Sequence, residues 1–184
     1  MKTTITSAIV AVALVCSSSL TYAAEEDRTK ATAKAGETLP KKDLAFLTEA
    51  AQGGMFEVQL AKVAERKATN AMSKDMAKMM IKDHTNANSE LKALAASKKV
   101  QLPAELDAKH KGMLDKVAEK EGAEFDKAYF AALETAHKKD VAGFEKASES
   151  AEDPDLKAFA TKTLPVLRKH LEHVKTHQSH LKGS

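Results

Sequence analysis

Three histidines carry most of the chemistry this sequence offers. His84, in the run MMIKDHTNANSEL, falls in line with Met80, Ala87 and Leu91, positions that should face a core. His137 falls in line with Phe130, Leu133, Val141 and Phe144, and His170 with Leu167 and Val174. Side chains three and four residues apart share one face of a helix, so each imidazole is expected to point inward on its own helix. Glu57, Asp83 and Glu134 lie beside them in the pattern. Imidazoles and carboxylates together suit a transition ion such as zinc, iron, manganese or copper. The competing account is a buried polar network in which Asp83, Asn88 and Glu134 satisfy the imidazoles and specify how the helices dock.

Glu134-Thr-Ala-His137 is a Glu-x-x-His pair, the spacing used by di-iron carboxylate bundles. A second copy is missing, because Ile81 precedes His84 and Leu167 precedes His170 by three residues. A mononuclear or histidine-rich site is therefore the better form of the metal hypothesis. His173 and His177, four apart near the C-terminus, are weak surface candidates for a divalent ion. His110 stands alone and reads as solvated. Met76, Met79 and Met80 could offer soft thioethers to copper, but at helical spacing they read as core filler. No Ser-His-Asp arrangement, phosphate loop or nucleotide fingerprint appears, so the sequence favours a binding protein over an enzyme.

The elements that must position these residues are all helical. Glycine is sparse, alanine abundant, and no run of β-branched residues suggests a strand. The first helix is expected over roughly 43 to 68, with Asp43 as its cap. Gly53 and Gly54 near its middle each cost about 1 kcal/mol relative to alanine, which points to close approach of another helix. A second helix over about 71 to 98 begins at Asn70 or Ser73. Pro103 breaks the pattern, and a shorter helix follows over about 104 to 120, ended by Gly122. A third long helix spans about 123 to 149. A fourth runs from Asp153-Pro154 to about 181, with Pro165 expected to kink or split it.

The long helices have midpoints near residues 56, 84, 136 and 168. Glu57, His84, His137 and His170 lie within about three residues of these, a common level to roughly 5 Å at 1.5 Å per residue. Four long helices make a bundle. The tight turn after the first makes the first two antiparallel. A crossover helix about 25 Å long would carry the chain back, favouring an up-down-down-up, ferritin-like order.

The N-terminus, MKTTITSAIVAVALVCSSSLTYA, has the lysine, short apolar run and small-residue site of a secretory signal, with cleavage expected after Ala23. Lipid attachment at Cys16 is disfavoured, because the preceding Val15 is not small. Cys16 is the chain's single cysteine, so a mature chain of 161 residues would have no disulfide. Its 28 basic and 26 acidic side chains leave a net charge of +2 with neutral histidines. Without a basic block bearing aromatics, nucleic acid is excluded as an expected partner. Residues 24–41 read as a flexible tether, and 42–182 as the bundle.

The runs FLTEAAQGGMFEVQLAKVA, MIKDHTNANSELKALA, LPAEL, FDKAYFAALETAHKKDVAGFEKA and DLKAFATKTLPVLRKHLEHV, in that order, resemble the bacterial family called domain of unknown function 4142 (DUF4142). The resemblance spans about residues 42 to 178. It implies an exported, all-helical protein grouped with ferritin-like folds. The family's DH, AH and HL motifs fall on His84, His137 and His170. It implies no reaction. Two functions follow as expectations. One is a periplasmic or secreted bundle that binds a transition metal in its mid-layer, in metal or stress handling. The other is a non-catalytic structural or interaction protein of the envelope, with a protein partner there and histidines that only hold the bundle together.

Overall fold

The computed structural model describes residues 39–182, with side chains through Ser179. The expected signal peptide, Cys16 and most of the tether lie outside them. Five α-helices make up this part of the chain: α1 (Lys41–Lys67), α2 (Ala71–Ser97), α3 (Ala108–Ala118), α4 (Gly122–Ser150) and α5 (Pro154–Lys182). There is no strand among the described residues. Among the described residues no helix is long and apolar enough to cross a membrane.

The long helices form two antiparallel hairpins, α1 with α2 and α4 with α5. The hairpins pack with α1 against α4 and α2 against α5. Contacts fix the directions. Asp43 near the start of α1 meets Glu152 and Asp153 after the end of α4. Thr69, just past α1, meets Asp126 near the start of α4. Thus α1 and α4 run oppositely, as do α2 and α5, where Lys98 reaches Asp153 and Asp155. The order is up-down-down-up, as expected.

The crossover is shorter than the sequence suggests. Its helix has 11 residues, about 16 Å rather than 25 Å. An irregular segment, 99–107, supplies the remaining climb. Gln52 of α1 holds that segment: its Nε2 donates to the Glu105 carbonyl (3.0 Å) and its Oε1 accepts from Asp107 N–H (2.9 Å). The Asp107 side chain then caps α3 by accepting from His110 N–H. Gly122 does not end α3; with φ +55° it is the first residue of α4.

Local side chains set the starts of three helices, α2, α3 and α5. Asn70 caps α2, accepting from Met72 N–H at 2.8 Å. Asp153 caps α5, accepting from Asp155 and Leu156 N–H, with Pro154 at the first helical position. Asp43 has a different task from the expected one. Helix α1 begins two residues earlier, after Pro40, and buried Asp43 accepts from Glu152 and Asp153 N–H, tying the α4–α5 turn to α1. Lys99 takes φ 58° after α2, and Val100 N–H returns to the Ala95 carbonyl, a Schellman closure in a position glycine usually fills. Helix α5 is not split: it continues through Pro165, which has no N–H to offer the Thr161 carbonyl.

Two apolar clusters fill the bundle. One contains Phe56, Leu60, Met76, Met80, Phe125, Tyr129, Phe130 and Leu133. The other contains Leu47, Leu91, Phe144, Leu156, Phe159, Ala160 and Leu167. Each fully buried side chain of this kind stabilises the fold by about 1.5–3 kcal/mol. Met76 and Met80 belong to this core, in keeping with their reading as filler. The histidine layer lies between the two clusters in register, so it is polar chemistry sealed above and below by hydrocarbon.

Candidate metal centre

His84, His137 and His170 are buried, at 4%, 0% and 1% exposure. Each contributes one ring nitrogen to a group whose members lie within 4.8 Å of one another. Helical phase explains this: each histidine sits on the inner stripe of its helix, at the same height. Glu57 of α1, wholly buried, bridges two of them. Its Oε2 lies 2.9 Å from His84 Nδ1 and its Oε1 lies 2.9 Å from His137 Nδ1. Asp83 holds the third, with Oδ2 3.0 Å from His170 Nε2.

These contacts fix the tautomers. Carbonyls and ionised carboxylates only accept hydrogen bonds. His137 Nδ1 also reaches the Leu133 carbonyl at 3.0 Å, so that nitrogen carries its proton. His170 Nε2 donates to Asp83 Oδ2, and His84 Nδ1, 2.9 Å from an ionised carboxylate that would repel a lone pair, carries the proton of its ring. The lone pairs are then on His84 Nε2, His137 Nε2 and His170 Nδ1. His84 Nε2 is buried with no hydrogen-bond partner. His137 Nε2 faces His170 Nδ1 at 3.4 Å. Two facing lone pairs repel, so this layer calls for something positive: a proton on one imidazole, or a metal ion. Histidine ligands held from behind by carboxylates are the usual support of a metal centre, because the carboxylate fixes the ring and raises its basicity.

The electrostatics agree with a cation-seeking layer. Burial alone would raise the Glu57 carboxyl, but His137 and His84, by charge and hydrogen bond, outweigh it and hold the group far below the usual carboxylate range. Burial opposes a charged His137, yet Glu57, assisted by Asp140 and the Leu133 carbonyl, moves its pKa up. His170 goes the other way. Burial and the neighbouring His84 and His137 push it down to about 4, against the opposing pull of Asp83. Asp140 is held well above its ordinary value, first by burial and then by the charge of Glu57.

A cavity of about 30 Å³ adjoins the triad, lined in part by Gly54, Glu57, His84, Asn88, Asp140 and His170. That volume suffices for a water molecule. Gly54 makes room for Asn88: a Cβ on it would fall 2.0 Å from Asn88 Oδ1, and the amide would have to move. At Gly53 a Cβ would meet Asp140 Oδ1 at 3.0 Å. The expected close approach at this glycine pair is therefore made by two polar side chains of the layer.

Other candidates lie elsewhere. Glu134 turns away from the layer and pairs with Lys138 at 2.7 Å, which holds its carboxyl below the usual range. The Glu-x-x-His spacing is thus present without its geometry. His173 and His177 follow His170 on α5, and the His177 ring rests against Phe130 at 5.6 Å between centroids. Neither belongs to a group of three ligating side chains among the described residues. His110 is not solvated. It is 7% exposed, with Nδ1 2.9 Å from Asp107 Oδ1 and its ring 5.8 Å from that of Phe56. Asp140 is the layer residue that the sequence reading missed. Its place three residues after His137, on the same face, was the available signal.

Two solved structures resemble this one in fold. A DUF305 fragment from Deinococcus radiodurans matches with a TM-score of 0.69 at 8% identity, covering 78% of this chain and 99% of that one. CopM in its Cu(II)-bound form matches with a TM-score of 0.65 at 19% identity, covering 75% and 96%. Among curated proteins none matches in sequence. The family model of the domain of unknown function DUF4142 matches residues 28–176, and the chain belongs to that family.

Proposed function

We propose that this protein is exported and binds one divalent transition-metal ion through His84 Nε2, His137 Nε2 and His170 Nδ1, acting in metal or stress handling outside the cytoplasm as a binding protein rather than an enzyme. The observation that carries the reading is the arrangement of the triad: three buried imidazoles each bring a ring nitrogen within 4.8 Å of the others, His84 Nε2 has no hydrogen-bond partner, and each ring is held by Glu57 or Asp83. Three imidazoles suit zinc, copper or iron better than manganese, which prefers oxygen. The similar CopM structure is of a Cu(II)-bound form, which makes copper the first ion to test. Export rests on the N-terminal sequence alone.

One observation favours a second reading. The raised pKa of His137 and its 3.4 Å approach to His170 allow a proton to link the rings, so the layer could close as a purely structural network. Such a protein would serve the envelope by its surface. Thermal melting of residues 24–184, purified without a histidine tag, separates the two. An ion at a hundredfold excess over its Kd adds about 2.7 kcal/mol, which for a chain of this size raises Tm by roughly 5–10 °C. The metal reading expects that rise with copper or zinc and its reversal by chelator. The network reading expects neither.

A further inference from the structure

The two hairpins are not sealed equally. Helices α1 and α2, and α4 and α5, pack along their lengths, whereas α2 and α5 meet more loosely. The cavity beside the triad lies at that seam. Outside it is a recess of about 220 Å³. Asp83, Ala87, Thr163 and Val166 line both spaces, so only these four side chains stand between the recess and the cavity. Asp83 joins the outside to the centre: its carboxylate touches His170, yet its side chain is 32% exposed. At the mouth, Glu90 on α2 and Lys162 on α5 pair at 2.7 Å across the seam, both well exposed.

We propose that the α2–α5 seam is the port of the histidine centre: an ion enters and leaves past Asp83, and its fourth coordination position faces the seam cavity, where water or a small anion binds. This rests on the triad reading. Three protein ligands leave a position open on a four-coordinate ion. Hydrocarbon clusters lie on either side of the layer along the bundle axis, so the seam cavity is the space that adjoins the rings. His84, whose Nε2 has no hydrogen-bond partner, belongs to its lining. A carboxylate at the recess favours cations along this route, and the paired Lys162 is the one positive group in the recess lining.

The test is stopped-flow uptake of Cu(II) alone, followed by azide titration of the loaded protein. Ala87→Leu places a larger side chain in the passage and leaves all three histidines in the chain. It should slow uptake at least about tenfold, reach the parent's final stoichiometry, and lose the azide-induced change in the copper spectrum that the parent shows. Lys162→Ala, at the surface, removes a positive charge and opens the mouth; it should speed uptake about threefold or more at low salt. It decides the matter alone if Ala87→Leu does not fold. A parent that fills with copper but ignores azide, an Ala87→Leu protein that fills as fast as the parent, or a Lys162→Ala protein that fills no faster overturns the port and leaves the triad standing. A parent that takes up none of copper, zinc and iron overturns both.

Discussion

Asp83 Oδ2 lies 3.0 Å from His170 Nε2, so a carboxylate on α2 orients an imidazole on α5 across the loosest seam between neighbouring long helices. The contact leaves His170 Nδ1 facing the other rings. Asp83→Asn keeps the shape and removes the charge that makes Nδ1 basic. Loss of a carboxylate behind a ligating histidine costs about 10–100-fold in metal affinity. Competition with a chromophoric chelator should show that loss, while Tm without metal changes little. Equal affinities would mean that His170 is not a ligand.

Asp140 predicts a stabilising substitution. Burial and the nearby Glu57 raise its pKa in the folded state. Its contribution is therefore full below the unfolded value and is lost as pH rises through the folded one, leaving a cost at neutral pH. Asp140→Asn removes that cost. Urea unfolding of the metal-free protein at pH 7 should show a more stable variant, and the gain should shrink toward pH 4. A destabilised variant at pH 7 would contradict this electrostatic account.

His170 and His137 set opposing pH dependences. His170 sits at about 4 in the folded state. An unfolded chain binds that proton near 6.5, so His170's contribution is complete above 6.5 and is lost as pH falls toward 4, on the order of 3 kcal/mol. His137, raised, contributes below 6.5 and loses its share as pH climbs past its folded value. With chelator present, His170→Gln should flatten the fall in Tm between pH 6.5 and 5. A parent-like slope in that variant would contradict the assignment.

Gly54 and Asn88 form a testable pair. A Cβ at position 54 would lie 2.0 Å from Asn88 Oδ1, and the amide must move. Gly54→Ala should destabilise by about 1–3 kcal/mol, despite the better helix propensity of alanine. In Gly54→Ala with Asn88→Ala the clash is gone, so the double variant should recover most of that loss, a coupling a double-mutant cycle measures. Additive losses would show that the cost lies elsewhere.

The layer was readable because helical phase and helix midpoints are local properties of the sequence. The spacing of Leu133, His137 and Val141 fixes a face, and rise per residue fixes a height. Hydrogen-bond direction was not readable. Glu134 and Asp140 flank His137 equally well by spacing, yet Glu134 pairs with Lys138 outside and Asp140 turns in beside Gly53. His110 was misread for a similar reason: a lone histidine on a short helix looks solvated until the docking of α3 on Phe56 is known. Asp43 looked like a helix cap, and its true partners stand 109 and 110 residues away.

The central claim is that His84, His137 and His170 together hold one ion. The direct measurement is metal content by mass spectrometry of tag-free residues 24–184, loaded separately with copper, zinc and iron, then exhaustively dialysed, for the parent and for His84→Gln, His137→Gln and His170→Gln. The account predicts one tightly held ion of at least one metal per parent chain and much less in each folded variant. A metal-free parent, or variants that retain the parent's full content, would contradict it.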